Sequence, residues 1–334
     1  ATMSADKVFT EEDVRAHGLE DDAWVIHDGQ VLDLSDFVQD HPGGKEILFE
    51  HLGTDITDVF RGDGAPHQHS ESALEMLHEF RIGRLATSQA DKPSARKGET
   101  KLPTLDLNKP LVWQTQFLGD HYNTYIHRPQ HLKGGKSARF FHSDFLEFHS
   151  RTPWYYIPSL WIPVICLLLT GAHLMFNMSL FEMGPYMGTG FVLWSLIEYL
   201  LHRFLFHMPE RIIHCNRWVT MLHFLIHGCH HLLPMDPMRL VFPPIPAAII
   251  SCGVYSVFRT IVTTPYAMVM LAGSLLGYIS YDLTHYYLHH ASVRGSHFRT
   301  MKTYHLAHHY KNPNLGFGIS SMVWDVVFGT TLVP

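Results

Sequence analysis

Four apolar stretches in the second half of the chain constrain its fold more than any other sequence feature. They cover residues 155–176, 187–206, 240–258 and 264–282 and contain few charged side chains. Each is about 19 to 22 residues long, enough to cross ~30 Å of hydrocarbon as a helix. The sequence therefore predicts four transmembrane helices. Prolines crowd the start of the third stretch, so a kinked or re-entrant segment is the alternative there.

The charges beside these stretches predict their orientation. Residues 177–186, between the first two, contain no Lys or Arg, whereas residues 207–239, between the second and third, contain three Arg. Positive charge marks the cytosolic side of a membrane. Residues 1–28 are acidic and lack a continuous apolar core, which predicts that no secretory signal peptide opens the chain. We therefore expect both termini in the cytosol.

Charge also divides the chain into two modules. Residues 1–85 carry 19 Asp and Glu against 6 Lys and Arg, and the remainder carries 12 against 19. This asymmetry argues against nucleic acid as a partner. It predicts that the acidic module docks on a basic surface, which could be that of the second module. The alternative is that the acidic surface only keeps the module soluble. Residues 86–106 are predicted to be a linker. Residues 107–153, aromatic and basic, predict helices lying on the bilayer.

A tight turn after a histidine marks the acidic module. His41 precedes Pro42, Gly43 and Gly44, and His69 stands before a helical pattern at residues 70–77. Histidines on two opposed helical hairpins can bind a planar macrocycle from both faces. Residues 6–85 thereby resemble cytochrome b5. The resemblance implies heme b with His41 and His69 as axial ligands, His67 being the alternative to His69, and a module that transfers single electrons.

Histidines dominate the second module. Fourteen of the 27 lie between residues 202 and 309, most of them in four boxes. Residues three or four apart share a helix face, so the last three boxes each predict one face of nitrogen donors. The first pair is five residues apart, a turn of about 140°, and is expected to reach different metals or to bracket a helix end. The boxes are His202 and His207; His227, His230 and His231; His285 and His289; and His305, His308 and His309.

Ten imidazoles exceed the needs of one ion and predict two ions with four or five donors each. Imidazole suits iron, zinc, copper or nickel. Only Glu210, Asp236 and Asp282 share the interval, so a carboxylate-bridged diiron bundle, which needs four glutamates, is excluded. Four spans would place every box on the cytosolic side. Asp282, one turn before His285, is predicted to accept a hydrogen bond from a ligand imidazole and orient it, a helix-capping or solvated carboxylate being the alternative.

Residues 107–334 resemble the membrane fatty acid hydroxylase superfamily, through residues 108–111, 198–207 and 227–231. With the cytochrome b5-like module, the whole chain resembles the fatty acid 2-hydroxylases of sphingolipid synthesis. The resemblance implies O2-dependent hydroxylation of a long-chain fatty acid or ceramide in the endoplasmic reticulum membrane, with electrons from an NAD(P)H-dependent cytochrome reductase. It also implies two iron ions on the ten box histidines, and zinc is the competing occupant of purified protein.

The expected architecture is therefore an α+β cytochrome b5-like heme domain at residues 1–85, followed by an all-α integral membrane domain at residues 107–334. The second domain is expected to have four transmembrane helices and a histidine-rich dimetal cap, which faces the cytosol like the heme domain. Two other functions remain open. A front-end acyl desaturase also joins cytochrome b5 to histidine boxes, but its last box typically begins with Gln rather than His305. A non-enzymatic membrane heme carrier would hold no metal pair.

Overall fold

The structure is a computed structural model of the chain. It forms two compact units, residues 1–103 with 128–136 and residues 104–127 with 137–334. Most of the predicted linker and the alternative axial ligand His67 lie outside the described residues. Those described are residues 6–38, 41, 45–62, 69, 71–86, 105–130, 132, 137–291 and 293–333.

The first unit contains a five-stranded sheet, and its central hairpin follows from the sequence. Strands β3 and β4 pair antiparallel, with His27 opposite Gln30. The two residues between them, Asp28 and Gly29, both have positive φ, the backbone that this tight turn requires. The sheet order is β1-β5-β4-β3-β2. The strands are β1 (Val8–Phe9), β2 (Gly18–Leu19), β3 (Asp22–His27), β4 (Gln30–Asp33) and β5 (Arg81–Leu85).

Among the described residues of this unit, four short helices accompany the sheet. The first is fixed by a capping box, in which the Thr10 hydroxyl accepts from the Asp13 N–H while the Asp13 carboxylate accepts from the Thr10 N–H. The buried side chains of Val14, Ile26 and Val31 form part of the core. This unit confirms the predicted α+β architecture of the first module. The helices are α1 (Glu11–Ala16), α2 (Lys45–Phe49), α3 (Thr57–Arg61) and α4 (Glu71–Glu79).

The second unit is helical, with four long helices. Three of them are long and apolar enough to cross a membrane: α8 (Tyr156–Phe176), α13 (Pro244–Ile261) and α14 (Thr264–His290). The fourth, α9 (Leu180–Leu200), is not among these candidates. It begins seven residues earlier than the predicted second span, so its first turns include a capping glutamate, a glycine and a proline. The described residues thus support three candidate spans, and the prediction of four is not confirmed.

Helix α9 packs closely along α14. A Cβ added at Gly190 would lie 2.0 Å from the Met270 carbonyl oxygen, and one at Gly273 would lie 2.0 Å from that of Met187. The Ser274 hydroxyl donates to the Gly190 carbonyl at 2.9 Å. Small residues on both helices therefore permit backbone contact, a packing mode common among helices in membranes.

The prolines of the third predicted span do not break its helix. Pro243 is the N-cap residue of α13, and Pro244 and Pro246 lie in the first turn. Backbone N–H groups of a first helical turn have no intrahelical acceptor, so proline costs little there. The segment is accordingly a continuous helix from Pro244 rather than a kinked one.

Short helices surround the ends of the long ones and position the histidine boxes. Two π-helical segments, Leu201–Phe206 and Phe224–Gly228, contain the beginnings of the first two boxes. Within the predicted interfacial segment, Phe117, Phe145 and Phe148 are exposed, and membrane contact there remains a prediction. The short helices are α5 (Val112–Thr115), α6 (Tyr122–Ile126), α7 (Asp144–Ser150), α10 (Glu210–Ile213), α11 (Arg217–His223), α12 (Cys229–Leu232), α15 (Ser296–Tyr310) and α16 (Val323–Phe328).

Candidate metal centre

The ten box histidines come together in two groups of five. Within each group the candidate ligand nitrogens all lie within 4.8 Å of one another, and every ring is buried except that of His207, which is half-buried. The first histidine group comprises His202, His207, His227, His231 and His308. The second histidine group comprises His230, His285, His289, His305 and His309.

Both histidines of the first box lie in one group. His202 and His207 were expected to reach different metals or to bracket a helix end; both belong to the first histidine group, and His207 is the C-cap residue of the π-helix that contains His202. The reason is the π-helix over Leu201–Phe206, in which the His207 N–H donates to the His202 carbonyl at 3.0 Å. This i to i+5 hydrogen bond widens the turn, so that residues five apart return to one face.

The second and fourth boxes each contribute to both groups, a division that the donor face predicted for each box leaves open. His230 belongs to the second group, although His227 and His231 belong to the first. His308 belongs to the first group, although its box partners His305 and His309 belong to the second. On a helix, the side chains three and four residues after a given residue point to opposite sides of it. Here these two directions lead to the two separate histidine groups.

The nitrogen spacing fits metal coordination better than hydrogen bonding. The Nε2 of His207 lies 3.0 to 3.1 Å from the Nε2 atoms of three other imidazoles of its group. The Nε2 of His305 lies 2.9 to 3.0 Å from three in the second group. A neutral imidazole carries one N–H and cannot donate to three acceptors. Two nitrogens bound at right angles to one ion, each about 2.1 Å from it, would be about 3 Å apart.

Hydrogen bonds from the second ring nitrogen orient two of these imidazoles. The Nδ1–H of His202 donates to the Phe317 carbonyl at 2.6 Å, and that of His308 donates to the Leu315 carbonyl at 2.7 Å. Such bonds fix the tautomer that leaves Nε2 unprotonated. The Nε2 of His202 is buried and has no hydrogen-bond partner among the described residues. That nitrogen is therefore available to a metal ion.

Burial keeps the imidazoles neutral. Desolvation, reinforced by neighbouring histidines, lowers the pKa of His230 to about 3. The same causes hold the pKa values of His207, His305 and His309 well below the ordinary range. Neutral imidazole is the form that binds metals, so the groups need not lose protons at neutral pH to coordinate ions.

Asp282 lies beside the second group but holds backbone rather than a ligand ring. Its carboxylate is buried and accepts from the Phe242 N–H at 3.1 and 3.3 Å. Among the described residues, His285 makes no hydrogen bond to Asp282, so the predicted contact to a ligand imidazole is not seen. Asp282 instead fixes the segment that forms one wall of the adjacent cavity.

His127, which no sequence pattern singles out, also lies beside the first histidine group. Its ring stacks on His207, with centroids 6.0 Å apart and planes at 15°, and lies edge-on to His231 at 4.9 Å. Its Nδ1–H donates to the Asn123 carbonyl at 2.9 Å. His223, which the boxes left over, bonds Tyr122 and the Phe206 carbonyl, both at 2.8 Å. No spacing signal links His127 to the boxes, because it lies 75 residues before the first of them.

An apolar cavity of about 340 Å³ reaches both histidine groups. His227 of the first group and His230 and His285 of the second line it. Most of the remaining wall is aliphatic or aromatic, including Phe206 and Phe242, whose ring centroids lie 5.3 Å apart. The cavity therefore suits an apolar ligand and presents it to both centres.

A second candidate site lies in the first unit. The rings of His41 and His69 have centroids 6.5 Å apart. Since an imidazole nitrogen binds a transition metal at about 2 Å, opposed axial rings should have centroids about 6 Å apart. Phe60 stacks on His69 with centroids 4.2 Å apart, and the His69 Nδ1–H donates to the Phe60 carbonyl at 3.2 Å. The pair fits the axial positions of a heme.

Comparison with known proteins agrees with this geometry. Residues 10–86 match the cytochrome b5-like heme/steroid binding domain family, and residues 187–330 match the fatty acid hydroxylase family. The chain is 35% identical to the fatty acid 2-hydroxylase of Rattus norvegicus, over 98% of this chain and 95% of that protein. It is 36% identical to the ceramide very long chain fatty acid hydroxylase of Saccharomyces cerevisiae, with the same coverage.

Two further relatives each cover about two thirds of the chain. A dihydroceramide fatty acyl 2-hydroxylase of Arabidopsis thaliana is 43% identical over 68% of this chain and 93% of its own length. The solved hydroxylase domain of full-length Scs7p superposes with a TM-score of 0.65 at 42% identity, covering 70% of this chain and 88% of that one. The chain, a cytochrome b5-like domain joined to a helical hydroxylase domain, therefore belongs to the fatty acid 2-hydroxylase family.

Proposed function

We propose that this protein hydroxylates carbon 2 of the long acyl chain of a fatty acid or ceramide. The observation that carries the proposal is the apolar cavity lined by histidines of both five-imidazole groups. An acyl chain needs an apolar site, and an unactivated C–H bond needs a strong oxidant beside it. The relatives named for this reaction support the choice of substrate.

The ten box histidines would hold two metal ions, which we propose are iron, with zinc as the competing occupant. Bound iron would supply the reduction of O2 and the cleavage of the C–H bond. The chain itself contributes neutral, buried nitrogen donors and a site largely closed to water. No carboxylate belongs to either group among the described residues.

The cavity wall would position the substrate. Phe206 and Phe242 line it beside His227 and His230, so an acyl chain lying against these rings would pass close to both groups. Asp282 holds the Phe242 backbone and thereby the wall. The polar end of the substrate is expected near Arg239, the one Arg or Lys that lines the cavity in the described part of the chain.

The first domain would deliver electrons. Hydroxylation by O2 consumes two electrons and two protons and releases one water. A heme with His41 and His69 on its two faces has no open position, so it would pass electrons singly from an NAD(P)H-dependent reductase. The acidic composition of residues 1–85 and the basic composition of the remainder would favour docking.

We further propose the boundaries and location of these parts. Residues 1–85 form the heme domain, residues 86–106 the linker and residues 107–334 the membrane hydroxylase domain. The membrane would be that of the endoplasmic reticulum. Heme and metal groups would share its cytosolic side, which requires that α9 also cross the membrane as a fourth span. Three candidate spans and the charge pattern between the long helices support membrane insertion.

Lipid mass spectrometry of cells that express the chain tests the reaction. We expect acyl chains one oxygen heavier, with the oxygen at carbon 2, and none of this product from His305→Ala. The matched control is His297→Ala, because His297 is exposed and lies outside both groups. A double bond instead of a hydroxyl would identify a desaturase, and unaltered product from His305→Ala would exclude the second group from the reaction.

A further inference from the structure

A loop beyond the last histidine box contacts the first histidine group through its backbone. The Phe317 carbonyl accepts from His202 Nδ1 at 2.6 Å, and the Leu315 carbonyl accepts from His308 Nδ1 at 2.7 Å. His202 and His308 come from boxes more than a hundred residues apart in sequence. One loop therefore sets the ring orientation of two of the five histidines in the group.

A single carboxylate holds this loop in place. Asp325 is fully buried, and its Oδ1 accepts from the Phe317 N–H at 3.0 Å while its Oδ2 accepts from the Gly318 N–H at 2.8 Å. The Thr330 hydroxyl donates to the same carboxylate at 2.8 Å. The peptide unit before Phe317 is thus bonded to Asp325, and the peptide unit after it is bonded to both Asp325 and His202.

The backbone of the loop cannot easily take another path. Gly316 has φ +75°, a conformation that side chains disfavour, and its N–H donates to the Thr330 carbonyl at 2.9 Å. A Cβ at Gly318 would lie 2.1 Å from the Ser321 carbonyl oxygen and 2.8 Å from Asp325 Oδ2. The loop is consequently tightly packed, so the neighbouring backbone has little freedom to compensate for a lost hydrogen bond, and the change falls on the Phe317 peptide.

The second histidine group has no equivalent support among the described residues. The Nδ1 atoms of His230, His289, His305 and His309 are buried and have no hydrogen-bond partner there. In the first group, only the Nδ1 atom of His231 is buried and without a hydrogen-bond partner among the described residues. The two groups therefore differ in what surrounds their ligands, although each offers five imidazoles.

We propose that Asp325 is a positioning residue for the first metal site and has no such role at the second. It would act through the Phe317 and Gly318 N–H groups, holding the Phe317 carbonyl that orients His202 and, further along the same loop, the Leu315 carbonyl that orients His308. The proposal rests on the metal-binding function proposed above. Loss of a partner that orients metal ligands commonly weakens metal binding 10- to 100-fold.

Zinc affinity, measured with a competing chelator on the purified full-length chain, tests this without any activity assay. In a background with His285, His289 and His305 all changed to Ala, only two imidazoles remain in the second group, so the bound ion should occupy the first site, and adding Asp325→Asn should weaken its binding about 10- to 100-fold. In a background with His207, His227 and His231 all changed to Ala, the bound ion should occupy the second site, and Asp325→Asn should leave its affinity unchanged. Thr330→Val, which removes one donor to Asp325, should weaken the first site by a smaller factor.

Asp236→Asn is the matched control. Asp236 is also buried and accepts from two backbone N–H groups, those of Ala138 and Met238, but among the described residues no ligand imidazole donates to the backbone that it holds. Unchanged zinc affinity in both backgrounds with Asp325→Asn would overturn the proposal, as would equal weakening in both, which indicates general destabilisation. If Asp325→Asn does not fold, Thr330→Val decides by the same comparison. A parent chain that binds fewer than two ions would instead refute the metal-binding premise.

Discussion

Removal of Glu147 should destabilise the hydroxylase domain far more than removal of a neighbouring acidic residue. Glu147 Oε1 accepts from Arg239 Nη2 at 2.5 Å, and the two side chains are 10% and 1% exposed. Glu147 Oε2 also accepts from the Phe140 and Phe141 N–H groups at 2.8 and 3.1 Å. The pair joins helix α7 to the segment that forms a wall of the cavity.

The magnitude follows from the burial of the arginine. Glu147→Ala leaves the Arg239 guanidinium without its carboxylate in a site closed to water, which typically costs about 3–5 kcal/mol. For a unit of this size, that corresponds to a fall in melting temperature of about 6–20 °C. Asp144, on the same helix, pairs with Arg139 at the surface and is 92% exposed. Breaking that pair should cost about 1 kcal/mol or less.

Thermal unfolding of the detergent-solubilised full-length chain measures both variants. The Soret band of the heme domain should melt at the same temperature in all three proteins, because the change lies in the other unit. Glu147→Ala should lower the second transition strongly and Asp144→Ala slightly. Equal, small shifts for both variants would refute the inference that the buried pair supports the cavity wall.

Three further predictions address the two centres and the coupling between them. His41→Ala or His69→Ala should abolish the six-coordinate low-spin heme spectrum while the second domain keeps its metals; an unchanged spectrum in His69→Ala, with loss in His67→Ala, would reassign the axial ligand. Each of His231→Ala, His289→Ala and His309→Ala, which removes one proposed metal ligand, should abolish hydroxylation without loss of heme. Full activity in any two of these variants would contradict the ten-ligand assignment. Deletion of residues 1–85 should leave a membrane domain that binds metal but turns over slowly with reductase, with partial recovery on adding soluble cytochrome b5 and a steeper salt dependence than the intact chain; full rate with reductase alone would exclude the heme domain as the relay.

The sequence was sufficient to predict which side chains converge, because clustered histidines with few carboxylates leave little other use for so many buried donors. It could not predict how the boxes divide. That division depends on the π-helix at Leu201–Phe206, which a periodicity of 3.6 residues does not anticipate, and on the side of the helix face that each ring leaves. His127 and Asp325 were also beyond reach, since only tertiary folding brings them to the first group.

The second predicted span is not confirmed, for a related reason. Hydropathy alone placed the second span at residues 187–206, but the helix begins at Leu180, where Ser179 and Glu182 form a capping box. Its last residues continue as the π-helix that holds the first box. The capping box at its start and the π-helix at its end, rather than the length of the apolar stretch, therefore define this helix.

The source of the new oxygen atom, measured by isotope labelling, tests the proposed O2-dependent hydroxylation most directly. Purified full-length chain, supplied with reductase, NAD(P)H and a long-chain acyl substrate under ¹⁸O₂, should yield a 2-hydroxy product that carries one ¹⁸O atom. The same incubation in H₂¹⁸O under ordinary O2 should yield unlabelled hydroxyl. Three results would exclude the proposed O2-dependent 2-hydroxylation: a hydroxyl oxygen derived from water, a product that gains a double bond but no oxygen, or hydroxylation at a carbon other than 2.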